Sequence, residues 1–223
     1  MMKDFICFND GSIHNNILSK YAGNDKNVVI PDCFEMLEFD SFKNNKNIES
    51  VEIPESVKII KSGAFEGCVN IKSVKIPGGL YGIAPNTFGD AETTANFLLT
   101  NPNYENRNGF IINKTNNVLL FVLDDSEDTY SIPEGLIMVG PYAFSYCTEL
   151  KEIAIPEGIE HIGMASFFFC NNLKKISFPK TLKSIGAAAF SGCWNLKGAA
   201  ISEGVDIDVS NAGIFETDDS EGE

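Results

Sequence analysis

The sequence predicts an α/β solenoid, a stack of short coils, and three features predict it: evenly spaced prolines, a phenylalanine at a fixed distance after each, and apolar columns that keep one register. Prolines stand at Pro31, Pro54 and Pro77 and again at Pro133, Pro156 and Pro179, with 23 residues between neighbours in each trio. Eleven residues after each proline comes a phenylalanine: Phe42, Phe65, Phe88, Phe144, Phe167 and Phe190. The residue before each proline is Ile30, Ile53, Ile76, Ile132, Ile155 or Phe178, and six residues after it come Leu37, Ile60, Ile83, Val139, Ile162 and Ile185. Self-similarity at a period of this length is the mark of a repeat architecture, in which one unit cannot bury its own apolar face and stacked units can.

The clearest unit runs from Leu150 to Asn172. Ile153 and Ile155 alternate with polar or small residues, the period of a strand. Pro156 stops that strand because it has no N–H for the ladder. Ile159 and Ile162 form a second apolar pair, Gly163 ends it, and the Ala-Ser-Phe-Phe-Phe-Cys stretch is expected to turn the chain back, with an irregular or short helical return. The phenylalanine column is then the spine of the core.

The pattern Leu-x-x-Ile-x-Ile-Pro-x-x-Ile-x-x-Ile-Gly-x-x-x-Phe-x-x-Cys-x-x-Leu resembles the BspA-type (treponemal-type) leucine-rich repeat. The match runs from Val28 to about Thr94 and from Thr129 to about Ile201. The resemblance implies a curved leucine-rich-repeat-type solenoid with a parallel sheet on the concave face. It also implies a bacterial surface or adhesion protein that binds host proteins, since members of the family are mostly described so.

Pro77 and Pro133 lie farther apart than two repeats would place them, so residues 95–128 replace one repeat and extend it. Gly109–Asn113 and Val118–Val122, joined by Lys114-Thr-Asn-Asn117, predict a β-hairpin inserted mid-array. The N-terminus has the same plan, with Phe5–Phe8, a turn at Asn9-Asp10-Gly11, then Ile17, Leu18 and Tyr21, and is expected to cap the open end. The expected organisation is one solenoid domain over 1–223. Within it, residues 1–27 form a hairpin cap, 28–94 repeats, 95–128 the inserted hairpin, 129–201 repeats, 202–215 a C-terminal cap and 216–223 an acidic tail. Aspartates alternating along Val205–Val209 would block further pairing at the last strand.

Composition removes several classes of function. A formal net charge of −14 disfavours nucleic acid and anionic membranes, both of which call for basic surfaces. The first apolar run ends after four residues, too short for a secretory signal, and no run approaches a membrane span. The chain as it stands is expected to be cytoplasmic, or at the cell surface if a leader has been removed, with its six cysteines reduced. No membrane insertion, no cofactor and a monomeric state are expected.

Three sets of residues invite a chemical role. Cys68, Cys147, Cys170 and Cys193 lie fourteen residues after their prolines, so the last three stack at about one strand spacing, ~4.8 Å. They are either small buried hydrophobes or a metal or redox column, although no CxxC pairing offers zinc its usual local ligands. His14 and His161 are the two histidines, too few for triad chemistry, and His161 occupies a variable, exposed slot. The chain also has no Gly-rich phosphate loop and no HExxH. Asn113-Lys114-Thr115 is a glycosylation sequon that matters only in a eukaryotic secretory route. The third set is a lysine lane on the outward strand positions: Lys72, Lys75, Lys151, Lys174, Lys175 and Lys197, with Glu49, Glu52 and Glu152 among them. It is either a solubilising face or a dock for an acidic protein or peptide. The resulting expectation is a non-catalytic protein-binding or scaffold module. The alternatives are a bacterial adhesin, or a fragment of one, and a metal or redox protein built on the cysteine column.

Overall fold

In a computed structural model the chain is described over residues 2–7, 16–196, 199–200 and 213, with backbone alone at 2 and 199–200. The strands are short. The first stack comprises β1 (Phe5–Cys7), β2 (Ile17–Tyr21), β3 (Asn27–Val29), β4 (Met36–Leu37), β5 (Ser50–Glu52), β6 (Ile59–Ile60), β7 (Ser73–Lys75) and β8 (Gly82–Ile83). A helix, α1 (Ala91–Leu98), follows, and then β9 (Tyr104–Arg107), β10 (Phe110–Asn113) and β11 (Val118–Val122). The second stack comprises β12 (Thr129–Tyr130), β13 (Met138–Val139), β14 (Glu152–Ala154), β15 (His161–Ile162), β16 (Lys175–Ser177), β17 (Ser184–Ile185) and β18 (Ala199–Ala200).

Each coil therefore contributes two strands, one before its proline and one after. Those before the proline stack in parallel as β3-β5-β7 and β12-β14-β16-β18, and those after it as β2-β4-β6-β8 and β11-β13-β15-β17. The register is one coil throughout: Val28 lies beside Val51 and Val51 beside Val74, while Ile153 lies beside Ile176. Both hairpins occupy the same place in their stacks. β1 pairs antiparallel with β2, which continues into the parallel ladder through β4, and β10 pairs antiparallel with β11, which continues through β13.

The phenylalanines form two columns of stacked rings. Phe42, Phe65 and Phe88 lie 4.6 and 4.9 Å apart, and Phe144, Phe167 and Phe190 lie 5.0 and 5.2 Å apart, all within 13° of parallel. Tyr21 covers the start of the first column and Tyr130 the start of the second. The far end of the first column is closed by Phe97 of α1, 4.8 Å from Phe88. Asp90 caps α1 by accepting from the Thr93 N–H at 2.7 Å, and Pro102 follows shortly after its end. This cap-and-stop signal is visible in the sequence, but the periodic reading carried the repeat to Thr94 and hid it.

The returns are not helical. Backbone N–H groups of Ala165, Phe167 and Phe169 donate to the carbonyls of Ala187, Ala189 and Ser191 in the next coil at 2.8–3.0 Å, a ladder with period two. Left-handed residues at two slots allow this: Asp40, Gly63, Tyr142, Ala165 and Ala188 at the ninth residue after the proline, and Asn44, Gly67, Tyr146, Phe169 and Gly192 at the thirteenth. A helical turn would direct the same N–H groups along its own axis and leave the next coil unpaired.

The inserted hairpin is a wall between two cores. Ile111, Val118, Leu120 and Phe121 pack with the first stack, whereas Phe110, Ile112, Leu119 and Val122 pack with the second. Burial on both faces explains why β11 is an unbroken apolar run instead of an alternating one. Side chains of the interruption also take carbonyls of the third coil between β7 and β8. Asn101 Nδ2 donates to Ile76 O, the Tyr104 hydroxyl to Pro77 O, and Asn113 Nδ2 to Gly78 O and Leu80 O at 3.1 and 2.7 Å. Asn113 is fully buried, and its Oδ1 accepts from the Thr115 N–H. Replacing Asn113 by alanine strands these partners and is expected to lower stability by about 2 kcal/mol in chemical denaturation. An unchanged midpoint would mean that the amide does not hold the junction.

Candidate protein-binding surface

Along the strands that precede each proline, inward and outward residues alternate. Val51, Val74, Ile153 and Ile176 are buried, while Ser50, Glu52, Ser73, Lys75, Glu152, Ala154 and Lys175 turn outward. Because the coils are in register, each outward slot becomes a column of side chains along the stack axis.

Among the described residues every ion pair between coils joins residues 23 apart. Glu49 accepts from Lys26 and Lys72 at 2.7 Å on either side, and Glu52 pairs with Lys75. In the second stack Asp128 meets Lys151 at 3.3 Å, Glu152 meets Lys175 at 3.9 Å and Glu160 meets Lys183 at 2.7 Å. Hydrogen bonds from Lys26 and then Lys72 hold the Glu49 carboxyl down at about 2, and the bond from Lys183 lowers that of Glu160. These groups are exposed, so each pair adds little to stability and its main effect is to order the surface.

The lane predicted from sequence is thus a column of mixed charge. Lys72, Lys75, Lys151 and Lys175 each face a carboxylate one coil earlier. Lys174 is exposed and makes no ion pair among the described residues, and Lys197 lies outside them. The sequence reading missed the role of Lys26, Asp128 and the glutamates as partners. Its signal was the same period of 23, applied to opposite charges as well as to apolar residues.

His161 is half-exposed, with Nδ1 2.8 Å from Ser184 Oγ in the next coil, and His14 lies outside the described residues. The cysteine column is internal. The thiols of Cys68, Cys170 and Cys193 donate to the carbonyls of Phe42, Phe144 and Phe167 at 3.0–3.1 Å, so each ties its coil to the one before. Burial pushes Cys147 up to about 12 and raises Cys68, and a hydrogen bond with Cys193, added to burial, raises Cys170. Thiols in this state are poor nucleophiles and poor metal ligands. At pH 8 a thiol reagent is expected to label exposed Cys33 quickly and half-buried Cys7 more slowly, with Cys68, Cys147, Cys170 and Cys193 reacting only in denaturant. Rapid native labelling of any of these four would contradict the internal column. The sequon residue Asn113, buried at the junction, offers no accessible amide for a glycan.

No described helix is long and apolar enough to cross a membrane. The stacked coils, each stack on its own apolar spine, define a leucine-rich-repeat solenoid. The model of the BspA-type leucine-rich repeat region matches residues 11–126 and 120–217, and the chain belongs to this family. Among solved structures, a leucine-rich repeat protein of T. pallidum is 22% identical, with 93% of this chain and 84% of that one covered and a TM-score of 0.37. A leucine-rich repeat protein of Eubacterium ventriosum is 19% identical over 82% of this chain and 55% of its own length, with a TM-score of 0.47. The pneumococcal vaccine antigen PcpA is 14% identical over 79% and 62%, with a TM-score of 0.41. No curated protein matches the chain.

Proposed function

We propose that the protein is a non-catalytic protein-binding or scaffold module that presents the outward columns of its parallel strands to an acidic protein or peptide. The observation that carries this reading is the charged column held in register by the core beneath it. Successive side chains stand about one strand spacing apart, ~4.8 Å, on a backbone that the stacked phenylalanines make rigid. A partner would exchange the carboxylates of Asp128 and Glu152 for its own around Lys151, Lys174 and Lys175, and the same exchange would operate at Lys72 and Lys75. Such exchange exploits pairs that are already weak in water, so it gives specificity and salt-dependent association more than raw affinity.

The test is affinity capture with the intact chain and with Lys151→Glu, Lys174→Glu and Lys175→Glu combined. Reversal is expected to remove a captured protein that returns at low salt with the unmodified chain, while the unfolding midpoint stays within about 0.5 kcal/mol, as befits exposed sites. An identical capture profile from both proteins would sink the proposal.

A further inference from the structure

The sheet of the inserted hairpin has an open edge. β9 pairs with β10 on one side, and among the described residues no strand lies on its other side. Alternation along the hairpin fixes which backbone groups face outward. Arg107 and Phe110 flank a two-residue turn at Asn108 (φ 54°) and Gly109 (φ 87°), and in such a turn the flanking pair is hydrogen-bonded. The Lys114 N–H donates to the Asn103 carbonyl at 2.8 Å, which puts position 103 in the same set. Positions 103, 105 and 107 therefore bond to β10, and Asn106 turns its N–H and C=O the other way. The next strand agrees. Gly109 O takes the Leu123 N–H, which directs the backbone groups of Ile111, the register partner of Asn106, toward β11. Neither backbone group of Asn106 has a partner among the described residues, and Asn106 and Arg107 are exposed. An open edge of this kind is a template for another strand.

The side chains select what that strand is. Glu105 and Arg107 stand on one face of β9, on either side of Asn106, and Arg107 Nε donates to Glu105 Oε1 at 3.0 Å. Both stay accessible, with 32% and 44% of their side-chain surfaces exposed. Of the five donors of Arg107, two go to Glu105 and one to the Glu134 carbonyl, so two remain. When a second copy of β9 lies antiparallel with Asn106 opposite Asn106, these two residues exchange a pair of N–H···O=C bonds. Each Glu105 then falls opposite the Arg107 of the other copy. Such a pair is not hydrogen-bonded through its backbone, and its facing Cα atoms are the closer kind, about 4.5 Å apart. Other arrangements lose this match. Sliding by two residues sets Glu105 against Glu105 or Arg107 against Arg107, and a parallel in-register pairing does both. Sliding by one residue sets Asn106 against a residue whose backbone groups are committed to β10. The run Glu105-Asn106-Arg107 is thus self-complementary in one register, that of a two-fold between identical chains. Exchanging the pair within each copy for two pairs between copies strands no charge.

We propose that the chain forms a weak two-fold dimer through the edge of β9, in place of the monomer that its sequence suggests. This surface is distinct from the charged columns on the strands. Strands of four residues bury far less than the ~1,600 Å² of a standard interface, so half-association is expected near about 0.1 mM. Sedimentation equilibrium of the full chain is therefore expected to show a weight-average mass that climbs from monomer toward dimer between about 5 µM and about 1 mM. Glu105→Arg and Arg107→Glu, each alone, set like charges opposite each other and are expected to weaken the dimer at least about tenfold. Mixed one to one, the two variants are expected to associate again, because a strand with two arginines then faces a strand with two glutamates. A Glu105–Arg107 pair that acts only within one chain cannot give that recovery. Asn106→Pro removes an outward N–H that β10 does not use, and is expected to abolish the dimer while circular dichroism stays that of the folded chain. If that variant folds poorly, the mixing experiment decides alone. A chain still monomeric at about 1 mM, whether or not it binds extended peptides, would overturn the proposal. So would a dimer unaffected by either charge reversal, one that persists in folded Asn106→Pro, or variants that associate no better mixed than apart.

Discussion

Replacing Phe167 by alanine is expected to lower stability by about 3–5 kcal/mol, seen as a fall in the denaturation midpoint. The ring is fully buried and lies between Phe144 and Phe190, nearly parallel to both. Its removal takes away two stacked faces at once and leaves a void that the coils can close only by tilting against each other. In a solenoid each coil contacts mainly its neighbours, so the damage stays local at first. Amides of β13–β18 should exchange faster, while those of β3–β7, beyond the hairpin wall, keep their protection. A loss below about 1 kcal/mol would mean that Phe167 is not part of the spine.

Adding one carbon at Gly163 is expected to be nearly as damaging, about 3 kcal/mol, at the upper end of overpacking effects. The φ of Gly163 is not positive, so the reason lies in space. A Cβ there would fall 2.7 Å from the Gly140 carbonyl carbon and from Pro141 Cδ in the coil before. Backbone cannot step aside as a flexible side chain can. Gly140 and Gly186 occupy the same slot of the second stack, with backbone equally close. Gly109→Ala serves as the comparison: its φ is +87° but nothing lies within 4 Å, and about 1 kcal/mol is expected. If Gly163→Ala and Gly109→Ala cost the same in parallel urea titrations, coil-to-coil contact is not what requires glycine at position 163.

That slot also shows how far the sequence can be read. The period, the phenylalanine spine, the strand at Ile153 and the hairpin at 110–122 follow from spacing and alternation, because each apolar residue must find its equivalent in the next coil. The first stack, however, fills the glycine slot with Glu38, Lys61 and Ala84. There the coils are held by the Glu38–Lys61 pair and by the Lys61 ammonium 4.9 Å over the Phe39 ring, contacts that exist only after stacking. For a related reason the sequence does not decide between an irregular and a short helical return. Ala165 and Phe169 carry no sign of a left-handed backbone, and only their pairing with Ala187 and Ser191 requires it. The second strand of each coil, two residues long, is too short to show any period of its own. On the surface, the lysines were visible as a lane, but their carboxylate partners entered only when the period was applied to charge. The two-sided burial of β11 likewise depends on which stack lies on either side, which no local window contains.

Along the strands that precede the prolines each outward side chain stands beside its counterpart 23 residues away, and disulfide trapping tests this register most directly. Ser50 and Ser73 are register partners on β5 and β7, close enough for a disulfide if both are cysteine. In a Cys7→Ser, Cys33→Ser background, Ser50→Cys with Ser73→Cys is expected to cross-link rapidly under mild oxidant, whereas Ser50→Cys with Lys72→Cys is expected to remain reduced. Equal trapping of both pairs, or faster trapping of the offset pair, would contradict the 23-residue register on which the fold and its charged columns rest.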